Sequence, residues 1–353
     1  MADISELERQ ARELLRPEVY DYYAGGSGGE VTHRANAEAW RRVRFLPRVL
    51  RDVSAVRTGV QLGSPLHLDL RTPVAVAPTA FHRLAHPEGE AATAAGAARA
   101  GALFVLSTRS SRRIEDVAAA VAGAGGSWWF QVYLMRDRDL TAGLVRRAAA
   151  AGARALVLTG DTPVVGRQVL VPGGGVISDR DFEDNLGRVD DLSRARFVPA
   201  SLADIGWLGE ISGGLPVLVK GVLRADDTAA CLAAGAAGVI VSNHGGRQLD
   251  QSVPTALALP PVLAAAAGRP VLVDGGVGSP ESALAGLAMG ASLVFAGRPV
   301  LWALACGGAD GVQAWLEDLT EGLAHVMALA GAPSVAALPA LGAVAGPGTG
   351  PCG

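Results

Sequence analysis

GVIVSNHGGRQLD, residues 238–250, joins an uninterrupted apolar run to a group of polar residues and glycines. A continuous run such as GVIV is typical of a parallel strand that is buried on both faces. His244, Gly245, Gly246 and Arg247 follow the run directly, and core packing does not require that combination. The two glycines allow a tight turn and a close approach of the backbone to a ligand. The stretch therefore indicates a buried strand whose carboxyl end carries chemistry.

Seven other stretches of the chain follow the same pattern, and alanine-rich segments of helical character lie between them. Eight β units that alternate with helices predict an α/β protein built as one (β/α)8 barrel, a TIM barrel. A doubly wound sheet is the alternative, but it would want a GxGxxG turn after its first strand, which this sequence lacks. The eight runs are PVAVAPTA (73–80), ALFVLST (102–108), SWWFQVY (127–133), ALVLTGD (155–161), PVLVKGV (216–222), GVIVSNH (238–244), PVLVDGG (270–276) and SLVFAGR (292–298).

The organisation that we expect is a single domain over residues 1–353. Residues 1–72 would form an N-terminal helical extension, and residues 73–330 the barrel. The interval 166–212, between the fourth and fifth strands, is the longest and least regular connection. Loops of that length are usually functional or disordered, so we interpret it as a lid loop with a short helix near its end. The tail, 342–353, is too rich in Gly and Pro to fold alone, and we expect it to be flexible.

Composition excludes several classes of function. The formal net charge of −3 mixes acids and bases, which gives no footprint for nucleic acid or for a membrane surface. No apolar stretch is long enough to span a bilayer, and the N-terminus does not resemble a signal peptide. The cysteines, Cys231, Cys306 and Cys352, form no CxxC pair, so a metal site is not expected. We therefore predict a cytoplasmic protein with no nucleic-acid or membrane partner.

Polar residues cluster at the carboxyl ends of the eight predicted strands. In a (β/α)8 barrel this end holds the active site, because the loops that follow the strands converge there. The coincidence of eight such clusters is stronger support for a site than any single motif. The residues are Thr79, Ser107, Thr108, Arg109, Gln131, Tyr133, Thr159, Asp161, Lys220, Ser242, His244, Arg247, Asp274 and Arg298.

His244 is the candidate general base, because imidazole titrates near neutral pH. Asp161 is its candidate partner, since a carboxylate can orient the ring and stabilise the imidazolium. Arg247 can hold a substrate carboxylate through two hydrogen bonds. Each residue has a plainer alternative: a hydrogen-bonded core histidine, an aspartate that caps a turn, and an arginine paired with Asp250.

Lys220 ends an apolar strand, where a buried ammonium needs an anionic partner. It could form a Schiff base with a carbonyl substrate, or pair with an anionic cofactor, and its position alone does not decide. Tyr133 and Gln131 are two residues apart and therefore point to the same face of their strand. A core tyrosine is the alternative for Tyr133.

The stretches DGGVGSPES (274–282) and AGRP (296–299) end the last two predicted strands, whose loops commonly bind phosphate in this fold. Ser279 reads as a helix N-cap with proline at the first helical position. Gly275, Gly276 and Gly278 free backbone N–H groups at that helix start, and Arg298 adds positive charge. Sugar-phosphate and flavin-phosphate barrels look alike at this level.

These residues resemble the FMN-dependent α-hydroxy acid oxidases and dehydrogenases, the group of glycolate oxidase, lactate oxidase, mandelate dehydrogenase and hydroxymandelate oxidase. The resemblance covers nearly the whole chain, and SNHGGRQLD is close to a family signature. The matching blocks, in family order, are VYDYYAGGSG (19–28), FLPRVLRDVS (45–54), APTAFHRLAHPEGE (77–90), WFQVY (129–133), LTGDTP (158–163), LVKGV (218–222), SNHGGRQLD (242–250), DGGV (274–277) and GRPV (297–300).

The resemblance implies oxidation of an (S)-2-hydroxy acid to the 2-oxo acid on FMN, which lies over the strand ends. Dioxygen or another acceptor would reoxidise the flavin, and the protein would be a homo-oligomer, often a tetramer in this family. His244 would be the base paired with Asp161, Arg247 would bind the substrate carboxylate, and Tyr22 and Tyr133 would contact the carboxylate and hydroxyl. Lys220 would lie beside flavin N1 and O2. The other implied FMN contacts are Pro78, Thr79, Ala80, Ser107, Gln131, Thr159, Ser242, Asp274, Gly275, Gly276, Gly278, Gly297 and Arg298.

Four departures from the family pattern bear mainly on the substrate. Arg109 stands where many members carry an apolar or aromatic residue over the substrate; it suggests a substrate with an extra anionic or polar end, unless it turns out to solvent. Gln168 replaces a second substrate-facing arginine, for which Arg167 would be a poor substitute. Gly278 replaces an arginine on the FMN phosphate. The lid between Asp161 and Lys220 also looks shorter than in typical members.

Two other readings stay open at the level of sequence. One is a Schiff-base aldolase, with Lys220 as the covalent residue, or a phosphate-binding isomerase on the same barrel. Neither of these activities gives the His-Gly-Gly-Arg stretch an evident role. The other is a degenerate family member that binds ligand without turnover.

Overall fold

Eight parallel strands close into a barrel in the computed structural model, which describes residues 4–164, 185 and 192–345. Each strand lies within one of the eight predicted runs, so the predicted (β/α)8 fold is confirmed. The strands are β4 Val74–Val76, β5 Phe104–Leu106, β6 Trp128–Val132, β7 Leu156–Thr159, β8 Val217–Val222, β9 Gly238–Val241, β10 Val271–Val273 and β11 Val294–Ala296. Neighbours pair in chain order, and β11 closes the ring on β4.

A helix follows each barrel strand and packs against the outside of the ring. These helices are α4 Glu90–Ala100, α5 Ile114–Gly123, α6 Arg138–Ala150, α7 Ala203–Ile211, α8 Ala225–Ala233, α9 Thr255–Ala265, α10 Pro280–Ala288 and α11 Arg298–Leu329. Their alanines let them approach the barrel closely: Ala92, Ala97 and Ala285 are buried in the same cluster as the outward-facing strand residues. None of the described helices is both long and apolar enough to cross a membrane.

The inside of the barrel is filled by every second residue of the strands, as the two-residue period of a strand requires. A hairpin of β2 Val60–Leu62 and β3 Leu68–Leu70 packs against this inner layer. The inner cluster contains Leu66, Leu68, Leu70, Ala75, Val105, Trp129, Val157, Leu218, Ile240, Leu272 and Phe295. The barrel is therefore a packed core, and room for a ligand remains at its carboxyl end.

Residues 1–72 were expected to be helical, and the described part is helical only as far as Arg41. It contains α1 Ile4–Leu14, α2 Pro17–Ala24, α3 Val31–Arg41, β1 Val43–Arg44 and then the hairpin. The hairpin replaces a helix because the alternating apolar residues of LHLDL fit a strand with one buried face. At the other end, β12 Val344–Ala345 pairs antiparallel with β1, so the expected flexible tail is anchored at its start.

The expected lid, residues 166–212, is described only in part. A helix near its end was predicted, and α7 begins at Ala203. Asn185 ties the segment to the barrel: its Oδ1 accepts from the N–H of Ile114 at 2.8 Å, and its Nδ2 donates to the carbonyl of Arg112 at 2.6 Å. Gln168 and Arg167, on which two sequence expectations fall, lie outside the described residues.

Candidate active site

A cavity of about 360 Å³ lies at the carboxyl end of the barrel, where the sequence places the polar residues. The period of two explains its floor, because each inward core residue is followed two positions later by a residue of the cavity or its support. Asp161 and Ser242 are not part of the lining, and they contact residues that are. The predicted residues in the lining are Tyr22, Pro78, Thr79, Ala80, Ser107, Arg109, Gln131, Tyr133, Thr159, Lys220, His244, Arg247, Asp274, Gly275, Gly276, Gly278, Gly297 and Arg298.

His244 and Asp161 form the predicted pair. His244 Nδ1 is 2.8 Å from Asp161 Oδ1, and His244 Nε2 is 3.3 Å from the Tyr133 hydroxyl. Burial would raise the pKa of Asp161, but its interactions with His244 and the positive charge of Lys220 outweigh that effect and lower the pKa. The pair leaves Nε2 on the cavity side, where a base could act.

The backbone of His244 is held in the left-handed region, with a φ of +58°. Residues with a Cβ adopt this region uncommonly, and such conformations are often found at functional sites. The Ser242 hydroxyl accepts from the His244 N–H at 3.1 Å, and the two glycines that follow also have positive φ. A Cβ on Gly246 would lie 2.6 Å from the backbone nitrogen of His33, so glycine is required there. The HGG turn therefore aims the imidazole into the cavity.

The contacts of Lys220 favour its charged ammonium form. Its Nζ lies 3.0 Å from Asp274 Oδ2 and donates to the Ser242 hydroxyl at 2.7 Å, with 6% of the side chain exposed. Burial alone would lower its pKa, but Asp274 and Asp161 raise it above the ordinary value. A Schiff-base lysine needs its neutral amine, so this environment argues against the aldolase reading.

A buried hydrogen-bond chain fixes the side chain of Gln131. Its Oε1 accepts from the Ser107 hydroxyl and from the Thr108 N–H, both at 3.1 Å, and its Nε2 donates to the Thr159 hydroxyl at 2.8 Å. The amide cannot turn without breaking these bonds. Three neighbouring strands thus present one rigid polar edge to the cavity.

Arg247 and Arg298 both hold the carboxyl end of α2. Arg247 Nη1 donates to the carbonyls of Tyr22 at 2.8 Å and Gly25 at 2.7 Å, and Arg298 donates to those of Tyr23 and Gly25. Cations are favoured there because a helix ends in unpaired carbonyls. Burial and the Arg247 charge lower the pKa of Arg298 to about 9.

The alternative partner for Arg247 is not supported. The Asp250 carboxylate accepts instead from the N–H groups of Gly29 at 2.8 Å and Thr32 at 2.9 Å. Asp250 thus accepts hydrogen bonds from backbone N–H groups at the start of α3. Arg247 donates to the carbonyls that end α2 and also lines the cavity, and its guanidinium lies 5.0 Å from the ring centre of Tyr22.

Backbone suited to a phosphate lies at the far end of the cavity. Gly276 has a φ of +86°, and a Cβ there would lie 2.9 Å from the Ala37 nitrogen. Ser279 caps α10 in a capping box with Ser282, as the sequence predicts for this helix start. The Ile4 side chain fills the space beside Gly278, 2.6 Å from where a Cβ would stand. The N-terminal helix thus takes the room that a longer side chain at 278 would need.

The residues of the cavity fit FMN. Buried polar atoms without a partner mark places where another group binds, and Asp274 Oδ1 is such an atom among the described residues. It could accept from a ribityl hydroxyl. The glycine cradle and Arg298 suit a phosphate, and Lys220 suits an electron-rich ring edge. No cluster of metal-binding side chains occurs in the part of the chain that the structure describes.

The structure places Arg109 in the cavity wall, so the alternative that it turns out to solvent is wrong. Its guanidinium carbon lies 5.0 Å from the ring centre of Phe81 and 5.6 Å from that of Phe197. Phe197 in turn stacks on Tyr133, with ring centres 4.7 Å apart.

Sequence reasoning missed the residues that reach the cavity from outside the strand ends. They include Ile4 and Glu8 of α1, His33 and Asn36 of α3, and Phe197. Burial and the Arg298 charge lower the pKa of His33 to about 4, so His33 is neutral at pH 7. No local pattern marks these residues, because only the folded chain brings α1 and α3 to the barrel.

The fold and the site define a barrel enzyme that combines a partly buried His–Asp pair with a cradle for a phosphate-bearing cofactor. Residues 11–342 match the model of the FMN-dependent dehydrogenase family. The chain is 41% identical to 4-hydroxymandelate oxidase of Amycolatopsis orientalis over 95% of this chain and 96% of that protein. It is also 41% identical to glycolate oxidase 3 of Oryza sativa subsp. indica, over 95% of this chain and 94% of that protein.

Solved structures of mandelate oxidase share the fold. One has a TM-score of 0.90 at 41% identity and covers 98% of this chain and 99% of that one. A complex of mandelate oxidase with (S)-4-hydroxymandelic acid has a TM-score of 0.89 at 40% identity, over 98% and 99% of the two chains. The chain belongs to the FMN-dependent dehydrogenase family. It is an oxidoreductase with FMN as cofactor, which confirms the predicted family and cofactor and excludes the aldolase.

Proposed function

We propose that this protein oxidises an (S)-2-hydroxy acid to the 2-oxo acid. The observation that carries the proposal is the His244–Asp161 pair, with Nε2 in a cavity that Tyr133 and Arg247 also line. The relatives named for 4-hydroxymandelate and glycolate oxidation support the substrate class. Bound FMN supplies the acceptor for the hydrogen and two electrons that leave the substrate carbon.

The residues that would hold FMN follow the cavity from one end to the other. Ser107, Gln131, Thr159 and the backbone at Pro78, Thr79 and Ala80 would lie along the ring. Lys220, supported by Ser242, would lie at its electron-rich edge, and Asp274 would accept from the ribityl chain. Donors for the phosphate would come from the backbone of Gly275, Gly276, Gly278 and Gly297 and from Arg298.

His244 would take a proton from the 2-hydroxy acid on Nε2. Asp161 then stabilises the imidazolium, because its carboxylate stays ionised and accepts from Nδ1 at 2.8 Å. The pair is partly buried, with 22% of the His244 side chain and 13% of the Asp161 side chain exposed, and partial removal from water strengthens the interaction. His244 is therefore oriented for the reaction before substrate arrives.

Arg247, Tyr22 and Tyr133 would bind the reacting end of the substrate. Burial and the Asp161 charge raise the pKa of Tyr133 to about 12, so its hydroxyl stays protonated and can donate. Arg247 offers a guanidinium to the carboxylate. These contacts would place the substrate hydroxyl near His244 Nε2.

We extend the proposal to the setting of the enzyme. Dioxygen would be the electron acceptor, as the names of the oxidase relatives suggest. A cytoplasmic location would suit Cys231 and Cys306, which are free thiols. A homo-oligomer, as the family resemblance implies, would cover exposed apolar side chains such as Val49 and Leu50.

The test is the absorption spectrum of the purified protein, followed by anaerobic addition of single 2-hydroxy acids. We expect flavin bands that at least one (S)-2-hydroxy acid bleaches and that return when air is admitted. Bands that no 2-hydroxy acid bleaches would contradict the proposal and favour a degenerate member. Bands that bleach but return only with an artificial acceptor would contradict dioxygen as the electron acceptor and leave the oxidation of a 2-hydroxy acid in place.

A further inference from the structure

A continuous set of contacts between aromatic rings and guanidinium groups runs around the cavity, and we call it the collar. It passes through Arg247, Tyr22, Phe81, Arg109, Phe197 and Tyr133. The Tyr22 and Phe81 ring centres are 6.0 Å apart, and each flanks a guanidinium at 5.0 Å, Arg247 and Arg109 respectively. His244 closes the collar, because its Nε2 is 3.3 Å from the Tyr133 hydroxyl and its carbonyl accepts from the Arg247 N–H at 3.2 Å.

The collar holds two cations at separate positions. Tyr22 and Phe81 separate Arg247 from Arg109 along one side, and Phe197, Tyr133 and His244 separate them along the other. Both arginines line the cavity. The Arg109 charge also reaches the Tyr133 hydroxyl, where it acts to lower the pKa. A molecule bound within the collar therefore meets positive charge at two places.

Arg109 is fixed by its loop and by its neighbours. Its carbonyl accepts from the N–H of Phe81 at 3.3 Å, and its own N–H donates to the Ser107 hydroxyl at 3.1 Å. Phe81 is 1% exposed and has a φ of +63°, so its backbone is held in a conformation that few residues with a Cβ adopt. The Tyr23 hydroxyl donates to its carbonyl at 2.6 Å. Two loops thus cooperate to set the position of one guanidinium.

A cation–π contact does not itself use the N–H donors of a guanidinium. The guanidinium carbon of Arg109 lies over the faces of the Phe81 and Phe197 rings, and the N–H donors of a guanidinium lie in its plane, where they match the two oxygens of a carboxylate. Partial removal from water strengthens such a pair. A neutral substrate would gain nothing from this charge.

We propose that the substrate of this enzyme carries a second anionic group at the end opposite its 2-hydroxy acid, and that Arg109 binds that group. The substrate class is then a 2-hydroxy dicarboxylic acid, either aliphatic or an aromatic 2-hydroxy acid with an acidic group on the ring. The inference rests on the proposed function, because it needs Arg247 to hold the reacting carboxylate. The inference extends the proposed function, because it specifies a negative charge at the far end of the substrate.

The test compares acids that differ only in the far charge. The pairs are (S)-2-hydroxyglutarate with its far-end amide, and 4-carboxymandelate with 4-carbamoylmandelate. The rate of anaerobic flavin bleaching is measured against concentration for each acid. We expect the charged member of at least one pair to have an apparent second-order rate constant about 10- to 100-fold higher, the range of one charge-assisted hydrogen bond.

Two variants assign the preference to Arg109. Arg109→Met keeps an unbranched side chain against the rings and removes the charge, so we expect the ratio within the pair to fall to about one. Arg109→Lys keeps the charge without the fork, and we expect an intermediate ratio. Flavin content and the thermal midpoint of each variant are measured alongside, so that lost preference is not confused with lost folding.

The outcomes separate the inference from the proposed function. Equal rates for charged and neutral members in the wild-type protein would overturn the inference and leave the 2-hydroxy acid oxidase intact. So would a preference that Arg109→Met leaves unchanged. Failure of every 2-hydroxy acid to bleach the flavin would overturn the proposed function itself. The wild-type comparison stands even if a variant does not fold.

Discussion

At the scale of single residues, the site is built from side chains that would be costly alone and are stable together. His244 adopts a left-handed backbone, Lys220 is a buried cation, and Asp161 is a partly buried anion. Each is stabilised by a partner. The Ser242 hydroxyl accepts from the His244 N–H, Asp274 pairs with Lys220, and His244 pairs with Asp161. Such concentrations of strain and buried charge are common at functional sites.

The role of His244 is tested by His244→Gln. Glutamine keeps a polar side chain but cannot accept a proton from the substrate, so we expect flavin bleaching to slow by at least about 100-fold. Bound FMN should be unchanged. Stopped-flow absorbance measures the rate, and His325→Gln, an exposed position on α11, is the control. Bleaching at the wild-type rate in His244→Gln would remove His244 from its proposed role.

His33 predicts a pH dependence of stability. Its pKa is about 4 in the folded protein, mainly because it is buried, and about 6.5 in an unfolded chain. The folded state thus binds fewer protons, so its stability is complete above pH 6.5 and declines as the pH falls toward 4. We expect His33→Asn to lose about 1 kcal/mol less free energy of unfolding than the wild type between pH 7 and pH 5, allowing for partial exposure.

Urea unfolding at the two pH values measures this difference. His325→Asn, at an exposed position, should behave like the wild type. Parallel loss of stability in wild type and His33→Asn would show that His33 is not responsible.

At the scale of elements, the turns after the strands decide where the chemistry lies. Gly221 in β8 has a φ of +105°, and a Cβ there would lie 2.5 Å from the Cβ of Asp161. The strand that carries Lys220 therefore also leaves room for the partner of His244. The bulge between Lys220 and Val222 in the pairing of β8 with β9 marks the same position.

Gly221→Ala tests that close approach. We expect two effects: strain from the positive φ, and displacement of Asp161 that slows flavin bleaching by about 10-fold or more. Gly235→Ala is a matched control, because Gly235 has a φ of +96° and no described atom lies within 4 Å of the place that a Cβ would take there. Both variants should lose stability in thermal unfolding, but only Gly221→Ala should lose activity. Equal activity in the two would argue that Asp161 tolerates the displacement.

At the scale of the whole molecule, the cavity is assembled from distant parts of the chain. The barrel provides its floor, whereas α1, α2 and α3 provide Ile4, Tyr22 and His33. Trp40 of α3 donates to the carbonyl of Gly275 at 2.7 Å, which couples the N-terminal helices to the phosphate end. Binding of the cofactor should therefore stabilise the whole fold.

Titration of the apoprotein with FMN and with riboflavin tests this coupling. At a free FMN concentration about 100 times its Kd, linkage predicts about 2.7 kcal/mol of added stability, or about 4 °C in Tm for a chain of this length. Riboflavin lacks the phosphate, so we expect a clearly smaller shift at the same concentration. Equal shifts would mean that the glycine cradle and Arg298 contribute nothing to phosphate binding.

The sequence by itself determined the barrel and the floor of its site. Inward and outward residues alternate along a strand, so a polar residue such as Gln131 or Lys220, two positions beyond a buried one, had to face the barrel axis at its carboxyl end. The stretch SNHGGRQLD could be interpreted in the same way, because it directly follows a buried strand and its polar residues therefore lie at the carboxyl end of that strand.

Only the tertiary structure decided which partners these residues take. It paired Lys220 with Asp274, turned Arg247 and Arg298 toward the carbonyls that end α2, and brought His33 into the cavity. It also placed Arg109 against the rings of Phe81 and Phe197, and it paired the Asp250 carboxylate with N–H groups at the start of α3. These contacts join positions far apart in the chain, and they depend on how helices pack on a closed barrel. No local pattern of residues specifies them.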